Sequence, residues 1–201
     1  MTDSEPGTTA GAAPSRRGGK RERLVEAAVQ VFHQQGVEKT TLGDIARAAD
    51  VPLGNVYYYF KTKDQLVEAA VQAHCDQLNA LTARLEELPG PATRLKTLIA
   101  GWVDQRDTAA RFGCPVGTLA TELDKRDDGL DLAAAKVMRA LLDWVEGQFT
   151  ELGRPDAHAL AIELVAAYQG MSVLTNTLRD PGLMAAQGER LQSWIEGLAH
   201  S

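Results

Sequence analysis

Apolar residues recur along this chain at the spacing of a helix face, and almost nowhere do they alternate as they would in a half-buried strand. Leu24, Ala27, Ala28, Val31 and Phe32 fall at i, i+3, i+4, i+7 and i+8, one stripe that stops at Gly36. Thr41, with Asp44 three residues on, is close to a capping box, and Leu42, Ile45, Ala46 and Ala49 share one face of a short second helix. Asp50-Val51-Pro52 breaks that helix and allows a third to start at once. The fourth is predicted from Lys63 through Leu66, Val67, Ala70, Val71, Leu78, Leu81 and Leu85 to Pro89-Gly90-Pro91, about 26 residues and about 40 Å long. Further helices are predicted over 92–110, 115–125, 129–152, 156–179 and 183–199, separated by Gly113, Gly129, Gly153-Arg154-Pro155 and Pro181-Gly182. The fold class is all-α.

One stretch resists the pattern. Residues 54–60 read Gly-Asn-Val-Tyr-Tyr-Tyr-Phe, strand-like by residue type in a helical chain. Val56 and Phe60 lie one helical turn apart and can both face a core, which leaves Gly54, Asn55, Tyr57, Tyr58 and Tyr59 for the other sides. Successive helical residues point about 100° apart, so three consecutive tyrosines cannot all be buried. Two short helices joined by a tight turn and packed on a longer first helix form a helix-turn-helix, whose second helix enters the major groove of DNA. Tyrosine hydroxyls reach phosphate oxygens, and a glycine lets the backbone approach closely.

Charge is uneven in a way that fits such a partner. The chain has 201 residues and a net charge of −6, yet residues 1–66 hold nine Lys/Arg against eight Asp/Glu, while residues 67–201 hold twelve against nineteen. Arg16, Arg17, Lys20, Arg21 and Arg23 form a basic run just before and within the first helix. Residues 1–15 are small and polar and are expected to form a disordered tail. No apolar run long enough to cross a bilayer and no secretory signal are read, so the expected location is cytoplasmic, with no membrane partner. Cys75 and Cys114 are too few for a disulfide framework, and the four histidines are scattered, so no metal or cofactor is expected.

Residues 20–66 resemble the DNA-binding domain of the TetR family of transcriptional repressors. The resemblance is carried by Leu24-Val25-Glu26-Ala27-Ala28 with Phe32 and Gly36, by Thr40-Thr41-Leu42-Gly43-Asp44-Ile45-Ala46, and by Gly54-Asn55-Val56-Tyr57-Tyr58-Tyr59-Phe60-Lys61-Thr62-Lys63. It implies operator contacts from Thr41, Gly54, Tyr57, Tyr58 and Lys63, and Arg17, Lys20, Asn55 and Tyr59 complete the expected DNA-binding set. Where the family most often has His before the phenylalanine, this chain has Tyr59. Leu53 offers no hydrogen bond to a base, so readout is expected to rest partly on DNA shape. The organisation expected is a tail over 1–15, a helix-turn-helix domain over 16–65, and a ligand-sensing and dimerisation domain over 66–201.

In the second part, Leu160, Ile162, Leu164, Val165, Ala166, Ala167, Tyr168 and Met171 cannot share one stripe. A helix apolar on several sides is covered on several sides, and the resemblance implies that 156–179 and 183–199 form a homodimer interface. Trp102, Arg106, Phe112, Cys114, Leu119, Met138, Leu141 and Tyr168, with Val116 and Val145, supply what a pocket for a small-molecule effector needs. For any one of them the plainer reading is an ordinary core residue. Residues 112–123 resemble a stretch in a TetR subgroup that includes flavonoid-responsive repressors. The anionic body favours a neutral or cationic effector over a polyanion. Cys114 as a thiol sensor is an alternative, with Arg111 the only close cation in sequence. A helical enzyme or a purely structural dimer fits less well: nucleophile elbow, phosphate-binding glycine loop and His-Glu-x-x-His motif are all missing. Asp124, Asp127, Asp128 and Asp131 lack the spacing of a calcium loop. The leading reading is a homodimeric repressor released from a palindromic double-stranded DNA operator by an apolar or aromatic effector.

Overall fold

The computed structural model of the protein describes residues 19–126 and 129–200, and these fold as ten helices with no strand among them. They are α1 (Lys20–Gln35), α2 (Leu42–Ala48), α3 (Leu53–Tyr59), α4 (Lys63–Glu86), α5 (Pro91–Asp104), α6 (Arg106–Phe112), α7 (Pro115–Leu123), α8 (Leu130–Glu151), α9 (Ala157–Leu178) and α10 (Pro181–Ala199). The expected tail, Arg17, Asp127 and Asp128 lie outside the described residues.

The local signals act as the chemistry requires. Thr41 caps α2, its Oγ1 accepting the Asp44 N–H at 3.2 Å while the Asp44 carboxylate accepts the Thr41 N–H at 3.0 Å. The Thr41 and Arg47 contacts hold the Asp44 carboxyl below its ordinary range. Thr62 caps α4 through the Gln65 N–H at 3.2 Å. Gly36 ends α1 at φ +84° and ψ 161°, a region essentially restricted to glycine.

One expected helix is two. The predicted span 92–110 breaks at Gln105, where the Arg106 guanidinium donates to the Val103 carbonyl at 3.2 Å and closes α5. The packing explains the break, because α5 lies on α10 whereas α6 lies on α9. A single straight helix cannot do both.

Two buried clusters result. The first joins the inner faces of α1 to α3 with Leu66, Val67, Ala70 and Val71 of α4, and is closed by Leu119 and Leu123 of α7 and Leu130, Ala134 and Val137 of α8. The second gathers Leu85 of α4, Leu95, Leu98 and Ile99 of α5, Val145 and Phe149 of α8, and the inner faces of α9 and α10. Helix α4 therefore belongs to both. Arg94 fastens its far end, donating to Glu151 at 2.7 Å and Gln148 at 3.2 Å and pairing with Glu86 at 2.9 Å.

Helix α9 corrects one expectation. Over Ala157–Leu178 it is long and apolar enough, by length and composition, to cross a bilayer. Its residues divide into a buried side, including Leu160, Leu164, Met171 and Thr175, and an opposite side with Ile162, Ala166, Gly170, Val173, Leu174 and Leu178 exposed.

Candidate nucleic-acid interface and sensing cavity

The three tyrosines part company in the structure. On α3, Val56 and, just past its end, Phe60 are buried, which turns Tyr58 and Tyr57 to the surface at 76% and 49% exposure. Tyr59 instead packs against the first cluster and meets the Tyr58 ring edge-on, with centroids 4.9 Å apart. Of the three, Tyr59 is thus the half-buried support. Gly54 is exposed, with no atom within 4 Å of where a Cβ would stand, so the N-terminal turn of α3 offers bare backbone. Asn55 is half-buried, and Lys20 and Thr41 are exposed at the starts of α1 and α2.

Lys63, expected at a phosphate, is engaged within the chain. Its ammonium donates to the Val37 carbonyl at 2.9 Å and the Glu38 carbonyl at 3.3 Å, so it binds the start of α4 to the α1–α2 loop. A helix N-terminus is an unfavourable place for a cation, and two loop carbonyls are what satisfies it here. Val37 is held from its other side too: its N–H donates to Glu122 Oε2 of α7 at 2.6 Å. Beside it, His33 Nε2 lies 2.9 Å from the Gly113 carbonyl, and the His33 ring meets Phe112 edge-on at 5.6 Å. Burial lowers the His33 pKa, partly offset by the Gly113 contact; burial, and then the nearby His33, lower that of His74.

A cavity of about 370 Å³ opens between α4, α5, α7, α8 and α9. Trp102, Cys114, Val116, Met138, Leu141 and Tyr168 line it as expected. Trp102 and Tyr168 stack within it at 4.2 Å and 17°. Burial, with the Cys114 thiol beside it, raises the Tyr168 pKa, so the phenol stays a neutral hydrogen-bonding group.

Four expected lining residues are elsewhere. Arg106 closes α5, Phe112 packs on His33, and Leu119 is buried in the first cluster, because the short α6 and the turn into α7 carry these side chains away from the cavity. Val145 lies fully buried in the second cluster. Sequence reading missed the α4 wall, made by His74, Gln77, Leu78, Leu81 and Arg84, together with Gln105 and Gln169. The spacing of Leu78 and Leu81 one helical turn apart was visible, but an amphipathic stripe does not distinguish a core from a cavity wall. Cys114 is 7% exposed and serves as the N-cap of α7, its Sγ accepting from the Gly117 N–H at 3.3 Å, a structural role that gives the thiol-sensor alternative no support.

An N-terminal helix-turn-helix with an exposed recognition helix, joined by one long helix to an all-α body that encloses a cavity, defines a DNA-binding regulator. The profile of bacterial regulatory proteins of the tetR family matches residues 24–70, and that of the LmrA/YxaF-like transcriptional regulator C-terminal domain matches residues 91–190. The HTH-type transcriptional repressor DhaR of Mycobacterium sp. strain GP1 is 30% identical over 162 residues, covering 75% of this chain and 79% of the relative. The probable acrEF/envCD operon repressor of Escherichia coli K12 is 38% identical over 89 residues, 39% of this chain and 38% of its own. Among solved structures, a TetR transcriptional regulator from Legionella pneumophila superposes with a TM-score of 0.79 at 16% identity, covering 91% of this chain and 98% of that one. Another from Chloroflexus aurantiacus gives a TM-score of 0.75 at 24% identity, covering 88% and 94%. The protein belongs to the TetR family of transcriptional regulators.

Proposed function

We propose that the protein is a homodimeric cytoplasmic repressor that leaves a palindromic operator when a mainly apolar, aromatic small molecule fills the cavity lined by Trp102 and Tyr168. The observation that carries this reading is that α4 forms one wall of the cavity and also abuts the α1–α2 loop through Lys63. A ligand pressing on Leu78 and Leu81 acts on the helix that carries the DNA-binding part. Tilting α4 changes the separation of two recognition helices, which must meet major grooves about 34–36 Å apart.

The division into a helix-turn-helix over 16–65 and a sensing part over 66–201 follows this functional split. Tyr57, Tyr58 and Gly54 make the direct contacts, with Lys20, Thr41 and Asn55 flanking and Lys63 holding the loop. Arg84 is the one charged side chain among the described cavity-lining residues, and it is exposed, so the ligand's body is neutral and apolar. The exposed side of α9 supplies the dimer face, and its Ala166 and Gly170 permit close approach of a second copy.

Selection of bound DNA from a random pool tests the reading at its root. Enrichment of a palindrome with half-sites about one helical turn apart is expected; recovery of no sequence preference overturns it. A wall-filling Leu141→Trp is expected to abolish release by any effector found, with operator affinity unchanged.

A further inference from the structure

A second opening lies across Cys114 and Gln169 from the sensing cavity. It is a groove of about 520 Å³ between α7 and α9, lined in part by Thr118, Thr121, Glu122, Gln169, Ser172 and Asn176, with Val173 of the exposed α9 side also in its wall. Cys114 and Gln169 border both spaces, with the Gln169 amide nitrogen 3.6 Å from Cys114 Sγ. Among the described lining residues, these two are the ones common to both walls.

Three donors of this groove are already engaged. Thr118 donates to the Cys114 carbonyl at 2.8 Å, Thr121 to the Gly117 carbonyl at 2.9 Å, and the Asn176 amide to the Ala110 carbonyl at 3.2 Å. The groove also offers acceptors: hydroxyl lone pairs, two amide oxygens and the Glu122 carboxylate, the one charged lining group among the described residues. Ser172 is 1% exposed, lines the groove, and its hydroxyl has no hydrogen-bond partner among the described residues. A buried hydroxyl without a partner is costly and marks a place where a partner arrives.

We propose that this groove is a second ligand subsite, for the donor-rich cationic head, an ammonium or guanidinium, of an effector whose apolar body occupies the neighbouring cavity. The inference rests on the ligand-responsive reading above. It also assigns Glu122 the responding role. Its Oε2 holds the Val37 N–H, and its Oε1 lies only 2.2 Å from where a Cβ on Gly36 would stand, so the carboxylate seats directly on the end of α1. Val37 in turn receives Lys63 on its carbonyl. A cation pairing with Glu122 competes with the Val37 N–H and loosens the loop that leads to the Thr41 cap of α2.

Calorimetric titration of the full chain with phenylbutylamine, phenylbutanol and phenylbutyrate keeps one apolar body and varies the head; spermidine supplies amines without the ring. The amine is expected to bind about tenfold tighter than the alcohol, with the carboxylate weakest. Glu122→Gln, which keeps an acceptor for Val37, is expected to erase that preference while the alcohol binds as before. Equal binding of all three heads, or an amine preference that survives Glu122→Gln, overturns the subsite and leaves the cavity standing. Binding of spermidine alone, lost in Glu122→Gln, supports the groove and removes the aromatic cavity reading. Absence of saturable amine binding at millimolar concentration overturns the proposal, as does amine binding that appears only after Leu174→Arg, on the same α9 side but outside the groove lining, separates the subunits, which means a second copy covers the groove.

Discussion

The exposed side of α9 sets up a sharp test of assembly. Ile162, Val173, Leu174 and Leu178 remain 48%, 62%, 55% and 62% exposed. Complete burial of such a side chain is worth roughly 1.5–3 kcal/mol, so covering what is still exposed contributes about 1–1.5 kcal/mol at each position. Val173→Glu forfeits that at both copies of a two-fold contact and adds two carboxylates that must lose water, several kcal/mol each before relaxation. A conservative total of about 4 kcal/mol weakens the dimer by roughly a thousandfold. Sedimentation velocity across a micromolar concentration series reads this directly: the parent is expected to run as a dimer and Val173→Glu as a monomer that no longer retards operator DNA. Val173→Thr, nearly the same shape without a charge, is expected to stay dimeric. A monomeric parent, or Val173→Glu sedimenting with the parent, refutes the reasoning and takes the two-half-site geometry with it.

Four further outcomes are expected. Tyr58→Phe removes an exposed hydroxyl and is expected to cost on the order of 1 kcal/mol in operator affinity with no change in the unfolding midpoint. Lys63→Ala removes the charged donor from two loop carbonyls, of which that of Val37 keeps the Thr40 N–H, and is expected to lower stability by about 1 kcal/mol in urea titration while the salt dependence of DNA binding stays put; a slope flattened by about 0.9 means Lys63 touches phosphate after all. Gly36→Ala places a Cβ at positive φ against the Glu122 carboxylate and is expected to cost about 2–4 kcal/mol, measured the same way. His33 and His74 have pKa values lowered by burial, so the unfolded chain binds their protons first; stability is full above the ordinary imidazole range and is lost as pH falls through about 6.5 toward the folded values. Thermal midpoints from neutral pH to pH about 5.5 check this, and a His33→Gln, His74→Gln double variant is expected to flatten the curve.

The parts of this protein visible in the sequence were those written by local chemistry. The stripe from Leu24 to Phe32, the Thr41 cap and the break at Pro52 need only neighbours a few residues away, and each helix they announce is present. The exposure of Tyr57 and Tyr58 followed from the burial of Val56 and Phe60 for the same reason. What was hidden depends on partners far along the chain. The break at Gln105 is set by α9 and α10, the α4 wall of the cavity by residues lying between Leu98 and Gln169, and the position of Lys63 by a loop 26 residues earlier. Glu122 reads as one more surface acid until its carboxylate is found on Val37, 85 residues away.

That α4 belongs to both buried clusters bears on how far this protein can be taken apart. The inner face of the reading head is completed by Leu119, Leu123, Leu130, Ala134 and Val137 from α7 and α8, so a fragment cut after α4 exposes its own interior. Recombining regulators by grafting one head onto another's body is therefore a matter of matching surfaces and not of choosing a linker. A hybrid with its seam at the start of α4 keeps neither set of mates, whereas one that carries its own α7 and the first turns of α8 along with the head brings its closing layer with it.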